Sequence, residues 1–238
     1  AVVGLDRAQV AALLQRPGVP KVNTSTLGLA LARGQSGATT VSTTMELAAG
    51  AGIRVFATGG LGGVHRGYGS RLDISTDLLA LSRFPVAVVA SGSKSILDVP
   101  STRELLETLG VPVVGWQTDR FPAFYQRDSG VGVDGRFDDL RELAMYARAE
   151  LARTGRGLVV ACPIPEAAEI PASQWLVWLA EAEQRASAGG AAGRDVTPAL
   201  LAAVHEISGG ATLKANIALV KNNARLAARL AVAMTGLG

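Results

Sequence analysis

Cysteine is almost absent from this chain of 238 residues: Cys162 stands alone. That excludes an internal disulfide and any cysteine-cluster zinc site. Histidine is nearly as scarce, and His65 and His205 lie too far apart in sequence to suggest a histidine-rich metal centre. Charged residues make up only 18%, and 23 Lys and Arg against 20 Asp and Glu leave a formal charge of +3. The pI near 9.4 sounds basic. Yet no Lys/Arg run or basic–aromatic stripe occurs, so nucleic acid is not an expected partner. No apolar stretch reaches the roughly 18 residues that span a bilayer, and no signal peptide is visible. A soluble, cytoplasmic protein with no membrane partner is the expectation. Two enzyme classes lack their motifs. There is no G-x-S-x-G elbow for a Ser-His-Asp hydrolase, and the segment GGLGG is neither a Rossmann nor a P-loop fingerprint.

What the chain does have is apolar residues, 48% of the total, with a mean hydropathy of +0.27. A chain of this length buries a sizeable core. The apolar surplus suggests that further surface is buried between subunits, as in a homo-oligomer. Short β-branched runs at 53–58 (IRVFAT), 86–91 (VAVVAS), 111–115 (VPVVG) and 158–162 (LVVAC) end in Gly, Pro or small polar residues, as buried strands do. Helical patterns over 44–51, 75–81, 102–109 and 138–152 lie between or beyond them. Ser101 is expected as an N-cap, with Glu104 completing a capping box. The C-terminal third reads as helix over 175–188, 197–208 and 212–234, with Pro198 in a first turn and a mobile loop over 189–195. This alternation predicts an α/β fold of three layers, α/β/α, with a central β-sheet and a helical C-terminal third. No repeat or low-complexity linker divides the chain, so residues 1–238 are expected to form one domain.

In such folds ligands gather beyond the carboxyl ends of the strands. The most informative residue there is Lys94, which follows the run 86–91. At the end of a buried strand, desolvation disfavours an ammonium and lowers its pKa. A neutral amine can attack a sugar aldehyde and form a Schiff base. The segment after 53–58 carries five glycines, His65 and Arg66. Glycine backbone can approach an anion and aim N–H groups at it, although a tight turn without a ligand explains the segment equally well. His65 is balanced between packing and function, whereas His205, mid-helix among apolar residues, is read as structural. Asp73 and Asp77 flank a helix start, where capping accounts for at least one of them. A lone carboxylate with waters is also how a hard divalent cation is held near phosphate. The Ser/Thr-rich segment 36–44 precedes a helix, and its hydroxyls and free N–H groups suit a phosphate ester. Lys21 could supply the matching charge, though taken singly it reads as solvated.

Seven segments stand in order along the chain: SGATTVSTTM (36–45), VFATGGLGGVHRG (55–67), DISTDL (73–78), SGSKSILD (91–98), GWQTDRFPAFY (115–125), PIPE (163–166) and LKANIALVKNNA (213–224). Together they resemble the successive signatures of the pseudouridine-5'-phosphate glycosidases (indigoidine synthase A-like proteins), in the same order and with similar spacing. The resemblance implies reversible cleavage of the C–C glycosidic bond of pseudouridine 5'-phosphate to uracil and ribose 5-phosphate. Lys94 is then the catalytic residue, forming an imine with C1 of the opened sugar that serves as electron sink. Asp73 matches the metal-associated aspartate, with a divalent metal, manganese, as cofactor. Ser75, Thr76 and Asp77 match the substrate-contacting stretch. Lys21 and Val41 match positions that hold the substrate at its phosphate, with Thr40 beside them, and His65 and Asn216 match residues near the base. The implied partners are a phosphorylated C-nucleoside, or ribose 5-phosphate plus base, and two further copies of the chain in a cytoplasmic homotrimer.

Three departures qualify the resemblance. The family carries an N-terminal Glu-Ser-Thr segment whose glutamate is a general acid/base, and these 238 residues, which open at Ala1 rather than Met, hold no counterpart. The sequence is therefore read as processed or as continuing upstream. Asn23-Thr24-Ser25-Thr26 stands where Ser-Arg-Arg-Asp is usual, and Cys162 where asparagine is usual. Two alternative functions follow: a biosynthetic C-glycosynthase joining ribose 5-phosphate to another ring, and a non-catalytic member that binds a sugar phosphate.

Overall fold

The computed structural model describes residues 1–69, 72–188 and 196–236; the loop expected over 189–195 lies outside them. The first elements in chain order are α1 (Arg7–Leu14), β1 (Lys21–Val22), α2 (Thr24–Ala32), β2 (Ala38–Thr39) and α3 (Val41–Gly50). Then come β3 (Val55–Ala57), α4 (Thr76–Leu81), β4 (Ala87–Ala90), α5 (Val99–Thr108), β5 (Val113–Trp116) and β6 (Gly135–Phe137). The chain continues through α6 (Leu140–Thr154), β7 (Leu158–Ala161), α7 (Ala172–Ala188), α8 (Val196–Ile207) and α9 (Ala211–Thr235).

The central sheet has five strands in the order β3-β4-β7-β5-β6, and every pairing is parallel. β4 and β7 lie side by side in its middle, with Val88 opposite Val159 and Ala90 opposite Ala161. Both strands are buried along their whole length, which is why each reads as an unbroken apolar run rather than an alternating one. The two-residue side-chain period sends their residues to opposite layers. Val88, Ala90, Val159 and Ala161 pack with Met45 of α3, Leu78 and Leu81 of α4, and Leu106 of α5. Ala87, Val89, Leu158 and Val160 pack with Leu143, Ala147 and Leu151 of α6 and with Leu226 and Leu230 of α9. This is the expected three-layer α/β/α arrangement.

The C-terminal helices do two jobs. The 25 residues of α9 make a helix roughly 37 Å long at 1.5 Å per residue. Its second half covers the sheet. Its first half, through Ala215 and Leu219, joins α7 and α8 in a separate apolar cluster with Ile96, Phe124, Tyr125 and Ile164. Those four residues sit on the loops that leave the carboxyl ends of β4, β5 and β7, so the helical third forms one wall beside the sheet's carboxyl edge.

Two local readings change. The N-cap of α5 is Asp98, not Ser101: Asp98 Oδ1 accepts the Ser101 N–H at 2.9 Å. Pro100 fits because it falls in the first turn, where its missing N–H leaves nothing unsatisfied. The stretch Asn23–Thr26 starts a helix: the Asn23 side chain accepts the N–H groups of Ser25 and Thr26, and Thr26 Oγ1 accepts the Asn23 N–H. Among the described residues no helix is long and apolar enough to cross a membrane.

Candidate active site

The loops after β3 and β4 close on each other at the carboxyl edge. Leu61 N–H donates to Gly92 O at 2.9 Å and Lys94 N–H donates to Leu61 O at 3.1 Å. Gly92 has φ +69°, and a Cβ there would collide with the carbonyl of Pro122, so only glycine fits. The glycines of the preceding loop also serve close packing. A Cβ on Gly62 would strike Ser75 Oγ and lie 2.7 Å from Asp77 Oδ2, and one on Gly63 would strike Thr102. Several of the loop's N–H groups are turned inward: Gly62 donates to Asp77 Oδ2 at 2.8 Å, Val64 to Thr102 Oγ1 at 3.0 Å and His65 to Asp73 O at 3.0 Å. Tight packing, rather than an anion cradle, accounts for these positions.

Asp77 is the centre of this construction. It is buried in the first turn of α4, and Ser75 caps that helix by accepting the Asp77 N–H at 3.2 Å. The Asp77 carboxylate takes the Gly62 N–H on one oxygen and the Ser42 N–H of α3, at 2.9 Å, on the other. Ser42 Oγ lies 2.8 Å from Thr40 Oγ1 and 3.0 Å from Thr76 Oγ1. The residues Thr40, Ser75, Thr76 and Asp77, read separately in sequence, therefore form one linked network. Asp77 and Ser75 are occupied with the protein itself. Thr40 stands at the N-cap of α3 without a side-chain capping bond, with Val41 as the first helical residue. The Asp77 carboxylate already takes the Ser42 N–H at that helix start, so only the neighbouring Val41 and Thr43 N–H groups are left to receive an anion.

Lys94 is half-buried on the loop after β4. Burial holds its amine below the ordinary lysine value, the negative charge of Asp77 opposes the shift, and the positive charge of Lys21 adds to it. Lys21 reaches the site from β1, which pairs with β2 directly before α3. Two basic groups and one carboxylate thus share a field, and desolvation dominates. The expected lowering of the Lys94 pKa is what the structure gives.

Lys94 also lines a cavity of about 250 Å³ whose walls include none of Lys21, Thr40 and Asp77. Its walls are apolar and aromatic, with Phe124, Tyr125 and Trp175 prominent, and Asn216 and His205 bring polar groups to it. Phe124 meets Tyr125 edge-on at 4.8 Å between centroids, and Tyr125 lies 5.2 Å from Trp175. Burial pushes the Tyr125 phenol up to about 12 against the effect of its hydrogen bond with Thr212, so it stays neutral. His205, read as structural from its mid-helix position, lines the lysine's cavity. His65 does not line this cavity; its Nδ1 faces Asp73 Oδ2 at 3.8 Å on the far part of the glycine loop.

Asp73 is about half exposed, and among the described residues no group of three His, Cys, Asp or Glu side chains could hold a metal ion. That donor set fits a largely hydrated divalent ion held through one carboxylate, not an all-protein cage. Two further residues escaped the sequence reading. Asn223 of α9 is fully buried and donates to Thr58 O at 2.8 Å and Ser91 Oγ at 3.1 Å. Its neighbour Asn222 donates to Pro163 O at 3.1 Å and Cys162 Sγ at 3.2 Å. This pair clips the carboxyl ends of β3, β4 and β7 to α9. Burial raises the Cys162 thiol to about 12, which leaves it an acceptor rather than a nucleophile. Two adjacent asparagines in an otherwise amphipathic helix were the available signal.

Residues 1–233 match the family described as indigoidine synthase A like protein. The pseudouridine-5'-phosphate glycosidase of Methylobacterium nodulans is 54% identical over 92% of this chain. This chain spans 65% of that relative's length, just under two thirds. The Jannaschia sp. enzyme of the same name is 51% identical over 98% of this chain and 78% of its own. Among solved structures, the prealnumycin C-glycosynthase AlnA in complex with ribulose 5-phosphate superposes with a TM-score of 0.92 at 39% identity, covering 98% of this chain and 78% of that one. An indigoidine synthase A (IdgA)-like protein of Thermotoga maritima gives 0.86 at 40%, covering 96% and 75%.

Proposed function

Because the chain belongs to the indigoidine synthase A like protein family, we propose that it reversibly cleaves the C–C glycosidic bond of pseudouridine 5'-phosphate, giving uracil and ribose 5-phosphate. The observation that carries this reading is Lys94, a lysine of lowered pKa set between two unlike sides. One side offers Lys21, Thr40 and the start of α3, where the Thr40 side chain makes no capping bond, suited to a phosphate. The other is the aromatic cavity, suited to a planar ring.

The chemistry follows from a neutral amine. Attack of Lys94 Nζ on C1 of the sugar breaks the bond from C1 to the ring oxygen, which takes a proton. The bond from C1 to the base then breaks. Its electron pair goes to the base carbon, which takes a proton, while the nitrogen lone pair closes the C1=N imine. Water adds to the imine and returns Lys94 and the sugar aldehyde. In the reverse direction the imine carbon is the electrophile that the base carbon attacks. A divalent ion, manganese in this reading, held by Asp73 would supply charge neutralisation for substrate oxygens. Exposed Val2, Val3, Leu5, Val10 and Leu14 around α1 support burial between copies, and we place the working form as a cytoplasmic homotrimer.

The test is intact mass after borohydride treatment with ribose 5-phosphate, followed by release of uracil from pseudouridine 5'-phosphate. The expected result is one covalent sugar-phosphate adduct, on the peptide containing Lys94, together with uracil release. No adduct would overturn the lysine mechanism. An adduct without uracil release would favour the second reading, a C-glycosynthase joining ribose 5-phosphate to another ring. The similarity to AlnA and the helix-starting Asn23–Thr26 stretch support that alternative.

A further inference from the structure

The cavity beside Lys94 is lined mostly by carbon, yet His205 brings an exposed imidazole to it. Among the described residues, nothing forms a hydrogen bond or ion pair with that imidazole. Its position is built by two helices. α8 presents Leu201 and His205 one turn apart, and α9 presents Thr212 and Asn216 one turn apart, all on the cavity wall. The Thr212 hydroxyl is already engaged with Tyr125 and Ser208. His205 and Asn216 are therefore the two uncommitted polar groups of α8 and α9 at this cavity, and aromatic faces flank them. Ligand cavities use a few such groups to orient and select what the apolar walls hold.

We propose that His205 is a specificity-determining residue that reads the edge of the planar ring, a role that rests on the reaction proposed above. A neutral imidazole offers one N–H donor and one acceptor nitrogen, and a ring such as uracil alternates N–H and C=O groups along its edge. Lys94, on the loop after β4, handles the sugar carbon; His205, on α8, handles the ring. Removing it leaves the amine chemistry intact and weakens the choice of ring.

The experiment separates the two roles. The protein is first reduced onto ribose 5-phosphate at Lys94, then titrated by calorimetry with uracil and with N,N-dimethyluracil, whose N–H groups are blocked. In His205→Ala the trapping yield is unchanged, uracil binds about tenfold more weakly, and the dimethyl ring, which keeps only its C=O acceptors, loses clearly less than uracil does. His205→Gln, which keeps a donor and an acceptor, recovers most of the uracil affinity. Unchanged uracil binding in His205→Ala overturns the proposal, as does an equal loss for both rings, which would indicate a packing role. Loss of trapping in His205→Ala at an unchanged Tm also overturns it, by placing the residue on the sugar side. Failure to trap the unsubstituted protein would instead remove the lysine reaction on which the role depends.

Discussion

Replacing Asp77 by asparagine removes one charge while keeping the shape of the side chain. In the folded protein both carboxylate oxygens accept backbone N–H groups, from Ser42 at 2.9 Å and from Gly62 at 2.8 Å. An amide has one acceptor oxygen, so one of those donors is left facing an NH2 group. Hydrogen bonds to charged groups contribute about 1.5–3 kcal/mol each, and a stranded buried donor costs a similar amount. The expected loss is about 3 kcal/mol, a fall in Tm of roughly 6–12 °C for a chain of this size. The second effect is on Lys94. Asp77 raises the Lys94 pKa against the pull of burial, so without it the amine stays neutral to lower pH. The assay is borohydride trapping with unphosphorylated ribose as a function of pH, which avoids any change in phosphate binding. In Asp77→Asn the acid limb of trapping moves toward lower pH. A limb that moves toward higher pH, or a Tm that does not fall, would refute the reasoning.

Four further outcomes are expected. Lys21→Met shifts the same acid limb toward higher pH, because a neighbouring positive charge that lowers the Lys94 pKa is gone. It also weakens capture of ribose 5-phosphate, but not of ribose, by about tenfold. Lys94→Met abolishes trapping and raises Tm at neutral pH. The unfolded lysine titrates near 10.5 and the folded one lower, so the unsubstituted protein gains stability as pH rises between those values, and thermal melts of the variant lack that gain. Gly62→Ala drives a methyl into Ser75 Oγ and Asp77 Oδ2; overpacking of this kind costs about 1–3 kcal/mol, read as a lower denaturant midpoint together with reduced trapping. Chelation lowers turnover and manganese restores it, whereas in Asp73→Asn that response is lost while Lys94 trapping persists.

The strands that were legible in the sequence are those buried on both faces. β4 and β7 are continuous apolar runs because helices cover each side, and no other environment suits such a run in a water-exposed chain. β1, β2 and β6 are two or three residues long, too short to carry a period, and exist only because a neighbour pairs with them. The α2 stretch TSTLGLALA is apolar almost all round and contains Gly28, so its one-sided burial is not written in its own pattern. The Asp98 cap was obscured by a competing Ser101–Glu104 capping box. Only Asp98 lets Val99 enter the helix and become buried.

Site residues divide along the same physical line. Lys94, Asp77, Thr40 and Lys21 sit at strand ends or helix starts, where chain geometry alone makes an exposed carboxyl edge chemically useful. His205 does not: it is one turn beyond Leu201 in an apolar helix, and it comes to the cavity only because α8 packs beside α9. The available signal was the pair of one-turn ladders, Leu201 with His205 and Thr212 with Asn216, each apolar or small at one rung and polar at the next. Charge gives a complementary argument. A lone buried lysine would be depressed without control, whereas here Asp77 opposes and Lys21 assists the effect of burial. Two side chains of opposite sign adjust this amine, and neither of them lines the cavity proposed to hold the ring. In the proposed reaction, a change in the ring-facing wall therefore leaves the charges that adjust the Lys94 amine in place.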